Sequence, residues 1–201
     1  SWSLEALKTC PGSIKSVIKG IIELVDACKG CYATTGMYNM PNVKAPRISN
    51  KEDWKRKDWV DDMVSAIFND ELFRWFDSGD AYDLRLTKKI KQVIERTPTT
   101  KHWFPTRQHK FPKFAKVLAE IAALPNAVVR LSSDSINGGI IAGDTTSTIW
   151  NTKPPKGAFE CGAYTREGQC KDCRACWDKN VKVVAYPGHG NKMLKVIRLQ
   201  E

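Results

Sequence analysis

No apolar run in this 201-residue chain is long enough to cross a membrane, and no secretory leader pattern is visible. The expectation is a cytoplasmic protein without a membrane partner. Cysteine is present in an odd number, seven. A chain of this length buries a core without covalent staples, so the disulfide framework of a small secreted domain is set aside. There is no low-complexity tract and no solenoid-type repeat. No Gly-x-Ser-x-Gly elbow occurs, which excludes that form of hydrolase nucleophile. No recognised nucleic-acid-binding motif occurs either.

Apolar residues make up 42% and charged residues 27%, values of an ordinary globular chain rather than a disordered one. They are compatible with one domain over residues 1–201. The formal net charge is +10, but the basic residues are dispersed. In "KEDWKRKDW" and "LTKKIKQVIER" acids interleave with them, as on a solvated helix face. Excess positive charge keeps a nucleic-acid partner in view, behind a small-molecule substrate.

The cysteines carry most of the chemistry. Cys170, Cys173 and Cys176 fall at two-residue intervals in "CKDCRACWDKN". Such a run offers three thiolates from one loop, the pattern of iron–sulfur sites, whereas zinc is usually held by two separated knuckles. Zinc, through Cys28, Cys31, Cys173 and Cys176, is the second reading. Cys161 precedes the run and completes a local set of four: Cys161, Cys170, Cys173 and Cys176. Three remain: Cys10, Cys28 and Cys31. They suit a second 4Fe–4S cluster with one iron open to a ligand, unless Cys28 and Cys31 join the C-terminal set and Cys10 is a buried spare.

Residues 1–50 read as irregular, rich in Gly and Pro, with "IKSVIKGIIELV" left untyped. A helix is expected over 51–69, capped by Asn50, with Val60, Met63, Val64, Ile67 and Phe68 on one face. A strand–helix rhythm follows. Strands are expected at 72–76, 102–105, 127–131 and 181–186, with 194–199 as a fifth. Helices are expected at 84–97 and 112–124. This order predicts an α/β fold with a parallel sheet, closing with a Cys-containing loop and final strands over 151–201.

In parallel α/β folds, ligands bind at the carboxyl ends of the strands. The segments after the expected strands are polar: Asp77-Ser78-Gly79-Asp80, Thr106-Arg107-Gln108-His109, Ser132-Ser133-Asp134-Ser135 and Pro187-Gly188-His189-Gly190. Asp80, Arg107, His109, Ser133, Asp134 and His189 are therefore candidate catalytic residues. Each cluster could equally be a turn or a helix cap, as Asp80 or Asp83 before helix 84–97.

The stretches "TCPGS…CKGCYATTGMY", "FRWFDSGDAY", "KHWFPTRQHKFPKF", "RLSSDS" and "CKDCRACWD" resemble the gene-product-88-like family of phage and prophage proteins, across residues 2–190. The resemblance implies iron–sulfur binding and a radical-SAM-type partial barrel. It places Ser78, Gly79 and Asp80 where radical-SAM enzymes hold the cofactor's amino group. It departs from that pattern at the cysteines. Cys28-x2-Cys31 keeps only the final spacing of a radical-SAM loop, and Cys10 lies far upstream.

Three functions compete. The first is a redox or radical enzyme with 4Fe–4S clusters, and SAM as a further cofactor. The second is a hydrolase using an open iron as Lewis acid, or the Ser, Asp and His residues of the rim. The third is a non-enzymatic nucleic-acid binder with structural clusters.

Overall fold

The computed structural model describes residues 1–199. A hairpin comes first, β1 (Ile14–Ile18) and β2 (Ile21–Leu24), then the short helix α1 (Asp26–Lys29), α2 (Pro41–Asp53) and α3 (Trp59–Ile67). Next come β3 (Leu72–Arg74), α4 (Leu84–Arg96), β4 (Lys101–Thr106), α5 (Ala115–Ala123) and β5 (Ala127–Ser132). The last elements are β6 (Thr146–Trp150), β7 (Phe159–Glu160), β8 (Val183–Pro187) and α6 (Asn191–Arg198). Six strands form one sheet in the order β3-β4-β5-β6-β8-β7. The pairs β3–β4, β5–β6, β6–β8 and β7–β8 are parallel. The expected α/β class with a parallel sheet is what the chain adopts. The chain divides into two compact units: Ser1–Gly12 with Ala33–Val129, and Ser13–Tyr32 with the chain from Arg130 onward.

The first unit is built around aromatic side chains. Trp59, Trp75, Phe104 and Phe114 are fully buried. Trp2 packs edge-on against Trp59 at 5.3 Å and Phe76 at 5.8 Å, and Phe73 against Trp75 at 4.9 Å. The faces of α4 (Leu86, Ile90, Val93, Ile94) and α5 (Val117, Leu118, Ile121) are buried, as their periodicity predicts. Asp83 caps α4 by accepting the Arg85 N–H at 2.7 Å. His102 lies inside this core. The Trp75 Nε1–H donates to its Nδ1 at 3.2 Å. The Thr97 hydroxyl gives its proton to the Val93 carbonyl, so Nε2 carries the ring hydrogen and donates to Thr97 Oγ1 at 2.9 Å. Burial pushes the pKa of His102 down to about 4 and keeps the ring neutral.

In the second unit Ala27, Ile136, Met193 and Ile197 form a small core, with Ile149 and Val196 against it. Gly30 is packed so closely on α6 that a Cβ there would lie 2.6 Å from the Met193 Cα. The middle of the Cys28–Cys31 loop therefore needs glycine.

Several local expectations change. The helix expected over 51–69 is two helices with a break at 54–58, because α2 starts at Pro41 and ends before the buried Trp54. Asn50 is inside α2 and donates to the Ser3 carbonyl at 2.9 Å rather than capping. Val60, Met63 and Ile67 are buried as expected, but Phe68 is 62% exposed. Residues 194–199 are not a strand: 194–198 lie in α6, whose buried Met193 and Ile197 are spaced i, i+4, and Leu199 follows it as the C-cap. Residues 1–50, read as irregular, hold the β1–β2 hairpin and most of α2. Two strands were not anticipated, β6 and β7.

Candidate functional site

At the carboxyl end of β3 in the first unit the chain turns sharply. Phe76 adopts φ +58°, a region that costs a non-glycine residue about 1–3 kcal/mol. Its amide donates to the Trp2 carbonyl at 2.8 Å, and its ring packs on Phe104. Three residues on, Gly79 has φ +77°, and a Cβ would meet the Leu4 Cβ at 2.5 Å. The Ser78-Gly79-Asp80 turn is thus covered by the chain's own N-terminal segment.

The polar groups of this rim are joined to one another. Asp80 is buried and receives three donors: the Ala81 N–H at 2.8 Å and Thr106 hydroxyl at 2.7 Å on Oδ1, and the Arg107 N–H at 2.9 Å on Oδ2. Burial pushes its carboxyl up, and the three donors oppose that. Asp80 ties the end of β3 to the end of β4. The Ser78 hydroxyl donates to the Leu4 carbonyl and accepts from Arg47 Nε, both at 2.8 Å. Arg47 also pairs with Asp77 at 2.6 Å. Burial opposes ionisation of Asp77, but the Ser3 hydroxyl and Arg47 hold its carboxyl below the ordinary range. Lys110 donates to the Gly12 carbonyl at 3.0 Å, which brings the Cys10 segment to the β4 loop, and His109 is half-buried there. One group stands apart. The Gln108 side-chain amide is fully buried, and its nitrogen and oxygen meet no partner among the described residues.

The second unit holds six of the seven cysteines, all but Cys10. Cys161 follows β7 and donates its N–H to the Ala185 carbonyl of β8 at 2.8 Å. Burial pushes the Cys161 thiol up, the Ala163 N–H opposes that, and the charges of Cys170 and Cys173 add to the upward push. The Cys173 N–H closes a tight turn on the Cys170 carbonyl at 2.9 Å. Cys176 is buried in the 3-10 turn Ala175–Trp177, its Sγ 3.3 Å from the Tyr186 hydroxyl. On α1, Cys28 is buried, and Cys31 closes back on its carbonyl at 3.2 Å.

Arg130 organises this loop. It is fully buried, and its five N–H groups reach five backbone carbonyls. Nε donates to Cys176 at 3.0 Å. Nη1 donates to Val181 at 2.9 Å and Thr146 at 3.4 Å. Nη2 donates to Ala175 at 2.6 Å and Asp178 at 2.9 Å. Burial lowers the affinity of its guanidinium for the proton. The Tyr186 phenol, the Cys176 thiol and the Asp178 carboxylate act against that, in falling order. Neither Arg130 nor Tyr186 was singled out from the sequence. The one signal was an arginine inside the apolar strand "AVVRL", where a charge has to find special partners.

The remaining candidates lie on loops of the second unit. Ser133 is buried; its N–H donates to the Ser147 carbonyl at 2.9 Å and its hydroxyl accepts from Ser135 N–H at 3.2 Å. The Asp134 carbonyl accepts the Ala27 N–H at 3.0 Å, which docks α1 on this loop. His189 is exposed, with Nδ1 2.9 Å from the Pro187 carbonyl and its ring 4.9 Å from Tyr164.

Among the described residues no three His, Cys, Asp or Glu side chains converge closely enough to hold a single metal ion. The donor chemistry of Cys161, Cys170, Cys173 and Cys176 is nonetheless that of a thiolate-held cluster, which spans more space than one ion. No helix among the described residues is long and apolar enough to cross a membrane. Comparison with curated proteins and with solved structures gives no match. The family model described as gene product 88 matches residues 1–179, and the chain belongs to the gene product 88 family.

Proposed function

We propose that the chain is an iron–sulfur protein in which Cys161, Cys170, Cys173 and Cys176 hold a 4Fe–4S cluster, and that it serves a redox enzyme reaction on a small-molecule substrate. The observation that carries this is the Cys170-x2-Cys173-x2-Cys176 run, whose first turn closes at 2.9 Å, in the unit where Cys161 is tied by its amide to β8 and Cys176 is buried. Bound there, the cluster supplies one-electron chemistry. The chain's own contribution is to hold the sulfurs. The Cys170–Cys173 turn and the Arg130 clamp fix the loop backbone, and the Cys161 amide anchors the first ligand to β8.

Redox chemistry fits this chain better than hydrolysis or SAM binding at the Ser78-Gly79-Asp80 turn. The Ser78 hydroxyl and both Asp80 oxygens already have partners within the first unit. The test is anaerobic purification with iron, acid-labile sulfide and zinc quantified beside a visible spectrum. A brown protein with iron and sulfide in equal amounts supports the proposal. A colourless protein with stoichiometric zinc contradicts it.

A further inference from the structure

Arg130 presents a problem of charge. Its hydrogen bonds are all made, but every acceptor is a neutral carbonyl. Among the described residues it makes no ion pair with a carboxylate, and the Asp178 carboxylate receives the Asn180 N–H at 2.8 Å instead. Removing a cation from water without an ion-paired anion costs several kcal/mol, and the carbonyl dipoles and the more distant Asp178 carboxylate offset only part of this. A buried cation of this kind calls for an anion. The group on its Nε side is the backbone of Cys176, whose sulfur also meets the Tyr186 hydroxyl at 3.3 Å.

Resting on the iron–sulfur reading above, we infer that Arg130 and Tyr186 are positioning residues for the redox potential of the cluster at Cys176. Arg130 supplies the countercharge to its thiolates, and Tyr186 supplies an O–H···S hydrogen bond. A thiolate-ligated cluster is anionic and gains one further negative charge on reduction. A fixed cation and a hydrogen bond to sulfur stabilise the reduced form more than the oxidised one. Both residues therefore raise the potential and make this cluster an electron acceptor. The same guanidinium holds the carbonyls of Ala175, Cys176, Asp178 and Val181, so the charge cannot drift from the sulfur as the electron arrives.

The test is a potentiometric titration of the anaerobically purified full chain, with dithionite as electron donor and the visible spectrum as readout. Wild type, Arg130→Gln, Arg130→Lys and Tyr186→Phe are compared. At the potential where wild type is half reduced, Arg130→Gln should have a reduced-to-oxidised ratio at least about tenfold lower, a shift of about 59 mV for one electron. Arg130→Lys, which keeps the charge, should recover most of the shift. Tyr186→Phe should move the same way by a smaller factor. It deletes one hydroxyl, so it decides the matter alone if the Arg130 variants do not fold. Wild type with a cluster, and the folded variants titrating at its potential, overturns this inference and leaves the iron–sulfur reading standing. Wild type without iron and sulfide overturns both.

Discussion

The two units place polar groups at strand ends in opposite ways. In the first, the residues after β3 and β4 satisfy one another: Asp80 takes three donors, Ser78 one donor and one acceptor, and Asp77 an arginine. In the second, β5 itself and the loop after β7 leave something over. A buried guanidinium is held by carbonyls with no ion-paired carboxylate among the described residues, and four of the seven cysteines fall between residues 161 and 176. A rim closed by its own contacts holds a fold together. A rim with a buried cation that lacks an ion pair, and with soft donors, is arranged for something else. Residue types that look catalytic in sequence therefore divide by what their neighbours already supply.

The largest expected effect lies in the second unit. Cys173→Ser should lose the bound iron and melt well below wild type, since metal bound only by the folded state contributes directly to folding. Cys10→Ser, in the first unit, should retain that iron and lose less stability. Calorimetry with iron analysis on both variants checks this, and equal losses would erase the contrast.

Next comes the closed rim. Asp80→Ala strands the Thr106 hydroxyl and the Ala81 and Arg107 amides, each at about 1–3 kcal/mol, and should destabilise by about 3–5 kcal/mol. Denaturant unfolding followed by tryptophan fluorescence reads it, because Trp2, Trp54, Trp59, Trp75 and Trp103 all lie in the first unit.

The core beneath that rim should respond to acid. His102 has a folded pKa of about 4 against an ordinary 6.5. The unfolded chain then binds the extra proton first, so stability is full above pH 6.5 and falls as pH drops toward 4. The loss approaches about 3 kcal/mol. His102→Gln should flatten this part of the profile, whatever its absolute stability. An unchanged slope between pH 6.5 and 4 would mean that His102 is charged in the fold.

A smaller effect, about 2 kcal/mol, is expected for Gly79→Ala, which meets both the positive φ and the Leu4 side chain. Thermal melting checks it, and a neutral result would mean that the N-terminal segment yields easily.

Much of the first unit was legible from period and caps. The α4 and α5 faces, the Asp83 cap and the strands at 72, 102 and 127 all follow from apolar spacing. The second unit was harder to read for physical reasons. β6 is "TSTIW", and its buried Thr146, Ser147 and Thr148 make an interior strand look like a loop. Val196 and Ile197 are β-branched and suggest a strand, but Met193 and Ile197 pack on one face of a helix. In "IKSVIKGIIELV" the turn at Lys19 and Gly20, both with positive φ, makes a hairpin. The cysteine spacing was plain in the sequence; the buried arginine behind it was not, because nothing local tells a strand arginine which way it faces.

The most direct measurement is the EPR spectrum of the dithionite-reduced protein, wild type against Cys176→Ser and Cys10→Ser. The account predicts a cluster signal that Cys176→Ser abolishes and that Cys10→Ser leaves in place. A full signal in Cys176→Ser, with unchanged iron, would contradict it.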